Sequence, residues 1–198
     1  MMGGGLQPIY RPRARPAVLL PSPPLPVGLP GRANLVLVDL AGLRARHPSL
    51  ALVRPAWVHP DEWLAADALQ EAHRREQYVA GRLAARLAVS RFGGRRPRLS
   101  DGPLRSLRSS GRTGSLQLPV AWRGVHVGIS HVADTAVGVA ASFPVGIDLA
   151  PTAWSEGAKH AAMEARVKLA GEGTERVRTD LQELAVPGLW LALAWRDG

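Results

Sequence analysis

The chain has 198 residues, 46% of them apolar, so it is long enough to bury a hydrophobic core in one domain or two small ones. It contains no cysteine, which excludes disulfides and thiolate metal sites, and its six histidines lack the spacing of a zinc site. The formal net charge of +9 favours acidic partners such as nucleic acid, polyphosphate cofactors or acidic proteins.

The first third of the sequence predicts a leader followed by a strand. Residues 1–33 are rich in proline, glycine and arginine and have no helical or strand period, so we expect a flexible or extended leader. A first strand is predicted over 35–38. A helix is predicted over 61–92, where the pattern allows an internal break, because acidic residues follow Pro60 and a Gly-Gly pair ends the segment.

The rest of the chain predicts a group of strands and a second helix. Residues 95–115 are rich in arginine, serine and glycine and indicate a loop. Four strands are then predicted over 116–122, 125–129, 135–142 and 145–149. A helix is predicted over 155–170 and a last strand over 189–195. Runs of strands flanked by long helices predict an α+β fold.

Three arginines of the first predicted helix lie along the edge of its apolar stripe. They are Arg75, Arg82 and Arg86. Two interpretations are open: a solvated basic flank whose aliphatic stems cover the core, or a rail that faces phosphate groups.

Two carboxylates and a lysine stand out near the end of the chain. The apolar run before Asp148 reads as a strand, and Glu164 and Lys168 follow it on the second predicted helix. Two acids and a lysine suit a site for Mg2+ and phosphate, because Mg2+ is typically held by one or two carboxylates plus substrate phosphates. The plainer alternatives are a turn or cap role for Asp148 and a helix-surface ion pair between Glu164 and Lys168.

Four segments occur in the order of the motifs of a known family. The segments are 75–86 (REQYVAGRLAAR), 128–131 (GISH), 145–148 (VGID) and 164–173 (EARVKLAGEG). Together they resemble the surfactin-synthetase-type 4'-phosphopantetheinyl transferases, which move phosphopantetheine from coenzyme A onto a serine of a carrier protein. The resemblance implies two similar α+β halves, here 34–143 and a shortened 144–198, with the cofactor in the cleft between them.

The resemblance also implies roles for individual residues. Asp148 and Glu164 would hold Mg2+ against the pyrophosphate of coenzyme A, and Lys168 would face the phosphates. Ser130 and His131 would bind the cofactor, with His131 and Arg75 meeting its 3'-phosphate. Glu164, or a water bound to the metal beside it, is the candidate base, and Lys168 stabilises phosphate charge.

The implied partner is an acyl or peptidyl carrier protein, which suits a basic enzyme because carrier proteins in this family's reactions are typically acidic. We expect a cytoplasmic protein with no membrane partner, since no apolar run approaches the roughly 18 to 20 residues needed to span a bilayer. A homodimer could support the small second half. Nucleic-acid binding is the weakest class, because Trp57, Trp63 and Trp122 lack the spacing of a base-stacking surface.

Two departures from the family pattern keep another function open. Ala150 stands where the family commonly has a second acid, and only 13 residues, 151–163, separate the strand from Glu164. The scaffold could therefore serve a different small-molecule reaction in a biosynthetic pathway, with His131, His160 or Glu164 as acid-base residues, or act as a non-catalytic carrier-protein binder.

Overall fold

The computed structural model describes residues 19–46, 58–94, 98–106, 116–170, 177–184 and 188–196. Two single turns of 3-10 helix lie at Leu99–Asp101 and Val120–Trp122. The predicted α+β class is confirmed by the strands and helices, which are, in chain order, β1 (Leu19–Leu20), β2 (Ala33–Asp39), α1 (Leu40–Arg46), α2 (Pro60–Asp67), α3 (Ala72–Gly93), β3 (Arg105–Ser106), β4 (Leu116–Gln117), β5 (His126–Val132), β6 (Thr135–Ala141), β7 (Val145–Pro151), α4 (Gly157–Ala170), β8 (Val177–Glu183) and β9 (Leu189–Arg196).

The strands form two antiparallel sheets and a small ribbon. The first sheet has the order β1-β2-β6-β5, the second has the order β7-β9-β8, and β3 pairs with β4. Gly138 of β6 lies opposite Val36, and Asp148 of β7 lies opposite Ala192. The chain passes from the first sheet to the second between Ala141 and Val145, close to the predicted boundary at 143/144. The division into two similar halves stays a prediction.

The two sheets pack face to face, and each has a helix on its outer face. Alternate residues of the strands point into one shared apolar cluster between the sheets. The other face of the first sheet packs against α3, and the other face of the second packs against α4. The layers therefore run α3, first sheet, second sheet, α4. The residues of the shared cluster include Leu35, Leu37, Val137, Val139, Val145, Ile147, Leu149, Leu189, Leu191, Leu193 and Trp195.

Each helix approaches its sheet closely at a glycine. A Cβ at Gly138 would lie 2.4 Å from the backbone of α3 at Ala84 and Ala85, and a Cβ at Gly146 would lie 2.0 Å from the carbonyl oxygen of Ala165 in α4. No side chain fits at either position unless the helix moves. The two glycines thus set the distance between helix and sheet in both parts of the molecule.

The order of the predicted elements is confirmed, several bounds differ, and the short strands β1 and β3 are among the elements that were not predicted. The helix predicted over 61–92 is two helices, α2 and α3, separated at 68–71. The strand predicted over 116–122 is limited to β4 and is followed by a 3-10 turn. Neither α1 nor β8 was predicted. Most of the loop predicted over 95–115 lies outside the described residues.

The second part of the predicted leader lies on the folded domain. Residues 1–18 lie outside the described residues, but β1 pairs with β2, with Leu19 opposite Val38. Leu25 and Leu29 pack against the cluster between the sheets. Residues 19–33 are therefore held on the folded domain, which agrees with the extended alternative for the leader and not with the flexible one. The reason is that the leucines between the prolines bury apolar surface, while proline favours the extended backbone that this path needs.

A buried ion pair joins α2 to α3. Glu62 and Arg86 are each 1% exposed, and the guanidinium donates to both carboxylate oxygens at 2.9 and 3.2 Å. The same carboxylate accepts the backbone N–H groups of His59 at 2.8 Å and Leu104 at 2.7 Å. Arg86 also donates to the carbonyl oxygen of Gly102. Arg86 is thus a structural residue, and the rail hypothesis is wrong for it.

Loss of the Glu62 charge should strongly destabilise the protein. We expect Glu62→Gln to lower the free energy of unfolding by about 3–5 kcal/mol, because Arg86 would keep a buried charge without its counter-ion. Urea denaturation followed by circular dichroism measures the change. The matched control is Asp61→Asn, whose exposed ion pair with Arg105 should contribute less than about 1 kcal/mol. Equal losses in the two variants would contradict the role given to Glu62.

Candidate functional site

A cavity of about 460 Å3 opens where β5 and β7 run side by side, between α3 and α4. Its walls come from both sheets and both helices, and strands and helices both contribute polar side chains. The lining residues that carry chemistry are Tyr78, Arg82, Ser130, His131, Asp148, Trp154, His160, Glu164 and Lys168. The structure therefore brings together five of the six predicted site residues.

Asp148 lies on β7 with its side chain away from the core between the sheets. Its neighbours Ile147 and Leu149 point into that core, so the alternation of the strand directs Asp148 to the side of α4. The carboxylate is only 6% exposed. Its Oδ1 accepts hydrogen bonds from the Ser130 hydroxyl at 2.8 Å and from Lys168 Nζ at 2.5 Å. A buried carboxylate requires such partners, since burial without them is costly.

Ser130 connects the two sheets beside the cavity. Its hydroxyl donates to Asp148 and accepts the backbone N–H of Leu149 at 3.2 Å, although β5 and β7 belong to different sheets. The hydroxyl is therefore occupied on both sides by β7. Ser130 lines the cavity and orients the carboxylate, and its role in binding a cofactor stays a prediction.

Lys168 and Glu164 approach the cavity from α4, one helical turn apart. Lys168 Nζ donates to the carbonyl oxygen of Ile147 at 3.2 Å in addition to Asp148. Glu164 lines the same cavity, and among the described residues it has no hydrogen-bond or ion-pair partner. The alternative of a surface ion pair between Glu164 and Lys168 is not what the structure contains. Lys168 neutralises Asp148, and the Glu164 carboxylate is available to a ligand.

His131 contributes an imidazole that favours its neutral form. Burial lowers its pKa below the ordinary value of 6.5, and the positive charges of Lys168 and Arg74 lower it further, against a smaller opposing effect of Asp148. The ring thus carries no full positive charge at neutral pH. It can donate or accept one hydrogen bond at the cavity wall, and an anion bound beside it would favour its protonation.

The arginines of α3 divide into three different environments. Arg82 lines the cavity, with its guanidinium 4.5 Å from the centre of the Tyr78 ring and 3.2 Å from the Tyr78 hydroxyl. Arg75 donates to the carbonyl oxygen of Leu69 at 3.1 Å and is not among the lining residues. Arg86 is held by Glu62. The arginine that reaches the cavity is therefore Arg82, although Arg75 was the one predicted to bind the cofactor.

The contact between two aromatic side chains at the cavity was not predicted from the sequence. Trp154 precedes α4, is about half-exposed, and makes an edge-to-face contact with His160 at a centroid distance of 5.8 Å. No periodic pattern marks Trp154, because it lies in the short connection between β7 and α4. The one sequence signal was the proximity of both residues to Glu164.

The two carboxylates at the cavity suit a divalent cation, both in their number and in their oxygen donors. Within the described residues no group of three or more His, Asp or Glu side chains could hold a metal ion, but Mg2+ needs only one or two carboxylates when phosphates complete its shell. Asp148 and Glu164 line the same cavity and meet this requirement. Ala150 cannot add a donor, since it is buried in a layer of small residues beneath α4, formed with Ala161, Ala165, Ala192 and Ala194.

Comparisons with known proteins give structural neighbours of low similarity. The chain matches no protein-family model, and no curated protein matches it. It is similar to a holo-(acyl-carrier-protein) synthase from Bacillus anthracis str. Ames in complex with CoA (3',5'-ADP), with 23% identity and a TM-score of 0.44 over 56% of this chain and 93% of that one. It is also similar to the holo-[acyl-carrier-protein] synthase of Neisseria meningitidis, with 18% identity and a TM-score of 0.40 over 56% and 95%. Similarity at this level does not establish a shared family or activity.

None of the helices within the described ranges is long and apolar enough to cross a bilayer.

The lowered pKa of His131 predicts how stability depends on pH. The unfolded chain takes up the proton near pH 6.5, before the folded protein does, so this contribution to stability is complete above about pH 6.5 and is lost as the pH falls below it. We expect the wild type to lose more unfolding free energy than His131→Gln between about pH 7.5 and about pH 5. Urea unfolding at several pH values measures this difference.

His126 provides the matched control for this prediction. It lies at the start of the same strand, and its side chain is exposed. We expect His126→Gln to keep the wild-type dependence on pH. If His131→Gln also keeps it, the assignment of a neutral buried imidazole at position 131 is incorrect.

Proposed function

We propose that the chain transfers 4'-phosphopantetheine from coenzyme A to a serine of an acyl or peptidyl carrier protein. One observation carries this proposal: the four motif segments, which are far apart in sequence, meet at a single cavity. Segment 75–86 contributes Arg82, segment 128–131 contributes Ser130 and His131, segment 145–148 contributes Asp148, and the last contributes Glu164 and Lys168. This convergence is what a shared cofactor site requires, and chance similarity of separate motifs does not require it.

The size and lining of the cavity suit a ligand with both phosphate and apolar parts. Its volume of about 460 Å3 falls within the range of small-molecule sites. Lys168 and Arg82 supply positive charge from opposite helices, which suits the pyrophosphate and the 3'-phosphate of coenzyme A. The strand backbone with Val127 and Ile129 offers an apolar wall for the pantetheine chain. In this proposal Arg82 takes the part first given to Arg75.

The proposed reaction needs a base and charge neutralisation. The carrier serine oxygen attacks the phosphorus that bears the pantetheine arm, a new O–P bond forms, and the bond to the adenosine 3',5'-bisphosphate leaving group breaks. Glu164, whose carboxylate has no partner among the described residues, accepts the serine proton on one oxygen, which leaves its other oxygen for the proposed cation. Lys168 neutralises negative charge on the phosphates through the transition state. His131 orients the cofactor by a hydrogen bond.

The proposal includes Mg2+, with Asp148 and Glu164 as the residues that would hold it. When bound, Mg2+ supplies positive charge to the pyrophosphate oxygens and so favours departure of the leaving group. Ser130 would keep Asp148 oriented through its hydrogen bond.

The charge of the chain supports an acidic protein partner. A net charge of +9 attracts an acidic carrier protein over distances of about the Debye length, roughly 8–10 Å at moderate salt, and so speeds encounter. An acyl or peptidyl carrier protein as the partner and a cytoplasmic location are also parts of this proposal.

A second candidate function is a different small-molecule reaction on the same scaffold. The observation that favours it is the environment of Asp148 and Ala150: the first is neutralised by Lys168, and the second is buried among alanines where a transferase of the resembled family commonly has another acid. This function predicts that coenzyme A leaves the melting temperature unchanged and that any activity survives excess chelator.

The transfer reaction can be tested directly by intact-mass spectrometry. We expect the purified protein with Mg2+ and coenzyme A to add the phosphopantetheine mass to an apo carrier protein. Glu164→Gln should lower the rate by about 100- to 10,000-fold, because it removes both the proposed base and one of the two carboxylates proposed to hold Mg2+. The matched control is Glu156→Gln, which makes the same charge change at an exposed residue paired with Lys159 and should keep the wild-type rate.

One result would overturn the transferase proposal, and another would overturn only the role given to Glu164. No mass addition to several apo carriers, together with no shift of the melting temperature by coenzyme A, would favour the second candidate. A Glu164→Gln variant that is as active as Glu156→Gln would leave the cofactor assignment intact but remove Glu164 as the base.

A further inference from the structure

Lys168 is bonded to the carboxylate oxygen that a metal site would need. Its ammonium lies 2.5 Å from Asp148 Oδ1, which also accepts the Ser130 hydroxyl, and it donates to the carbonyl oxygen of Ile147. Lysine and carboxylate are largely buried, with exposed side-chain fractions of 21% and 9%. The charge of Asp148 is therefore already neutralised from within the protein.

Two cations cannot share this carboxylate at low cost. A divalent cation on Oδ1 would stand next to the ammonium in a poorly solvated place, where like charges repel strongly. Ala150 and the other alanines beneath α4 leave no second acid beside Asp148 on β7 that could hold the ammonium instead. Repulsion from a divalent cation on this carboxylate therefore favours displacement of Lys168, whose side chain has the length and flexibility to reach the cavity that it already lines.

We propose that Lys168 is an internal counter-ion that competes with a divalent cation for Asp148, and that it is released to a bound phosphate when the cation takes its place. Cation and phosphate would then each favour the binding of the other, because the cation frees the ammonium and the phosphate stabilises its new position. Such coupling is reciprocal by thermodynamic necessity. This inference rests on the metal site of the proposed function, and it does not depend on which carrier protein is the substrate.

The composition of the chain provides a matched control for the first test. Its only two lysines, Lys159 and Lys168, both lie on α4, and Lys159 is exposed and pairs with Glu156. Isothermal titration of each variant with Mg2+ alone measures the affinity for the cation. We expect Lys168→Met to bind Mg2+ about 5- to 150-fold more tightly than the wild type, the usual range for coupled sites. Lys159→Met should stay within about twofold of the wild type, since an exposed charge is screened.

Three results of the titration would overturn the proposal. The first is an Mg2+ affinity of Lys168→Met no higher than that of the wild type. The second is an equal gain in Mg2+ affinity in Lys159→Met, which would indicate only that any positive charge on α4 weakens binding of the cation. The third is the absence of Mg2+ binding in both the wild type and Lys168→Met.

A second measurement uses the wild-type protein and does not depend on the folding of a variant. Labelling lysine with 13Cε and 15Nζ gives signals from two side chains only. On addition of Mg2+ we expect the Lys168 signal to move towards that of a solvated ammonium, and the Lys159 signal to stay in place. A Lys168 signal that does not change at saturating Mg2+ would overturn the proposal, even if Lys168→Met binds the cation more tightly.

These outcomes are separate from those of the transfer assay. The titrations contain neither coenzyme A nor carrier protein, so they can fail while phosphopantetheine transfer is observed. In that case the internal counter-ion would be rejected and the proposed function kept.

Discussion

The hydroxyl of Ser130 is the contact on which the arrangement of the site depends. It bonds to Asp148 and to the Leu149 backbone, and so fixes β5 of one sheet against β7 of the other. The same bond buries one side of a carboxylate, which then needs a cation. Lys168 supplies that cation from α4, and the turn of the helix brings Glu164 to the same cavity. One sheet-to-sheet bond thus holds Asp148 where the lysine of α4 reaches it.

The small residues of the second sheet explain why the site has few ligands. Gly146 allows the carbonyl of Ala165 to lie directly on β7, and the alanines of β7, β9 and α4 form a thin layer between helix and sheet. This layer leaves no room for a carboxylate at position 150. A closely packed α4 and a second acid on β7 therefore exclude each other. This chain has the closely packed helix.

Much of this organisation could be predicted from the sequence, because local signals carry it. The strand before Asp148 and the turn between Glu164 and Lys168 follow from apolar alternation and helical spacing. The choice of Arg82 over Arg75 could not be predicted, since it depends on how α3 is rotated against its neighbours. Strand β8 was missed because it is polar on its exposed side and pairs only with β9. The sequence left a flexible and an extended leader open, because proline content says nothing about a distant apolar surface that can bury its leucines.

The buried ion pair of Glu62 and Arg86 fixes the rotation of α3 about its own axis. Arg82 stands one helical turn before Arg86 on nearly the same face of the helix, so the angle at which it meets the cavity depends on the bond that holds Arg86. A fork of two parallel N–H bonds resists rotation in a way that a single point charge does not. Ligand selectivity and fold stability are for this reason not separable in α3. A lysine at position 86 would preserve the charge but loosen the angular alignment of Arg82.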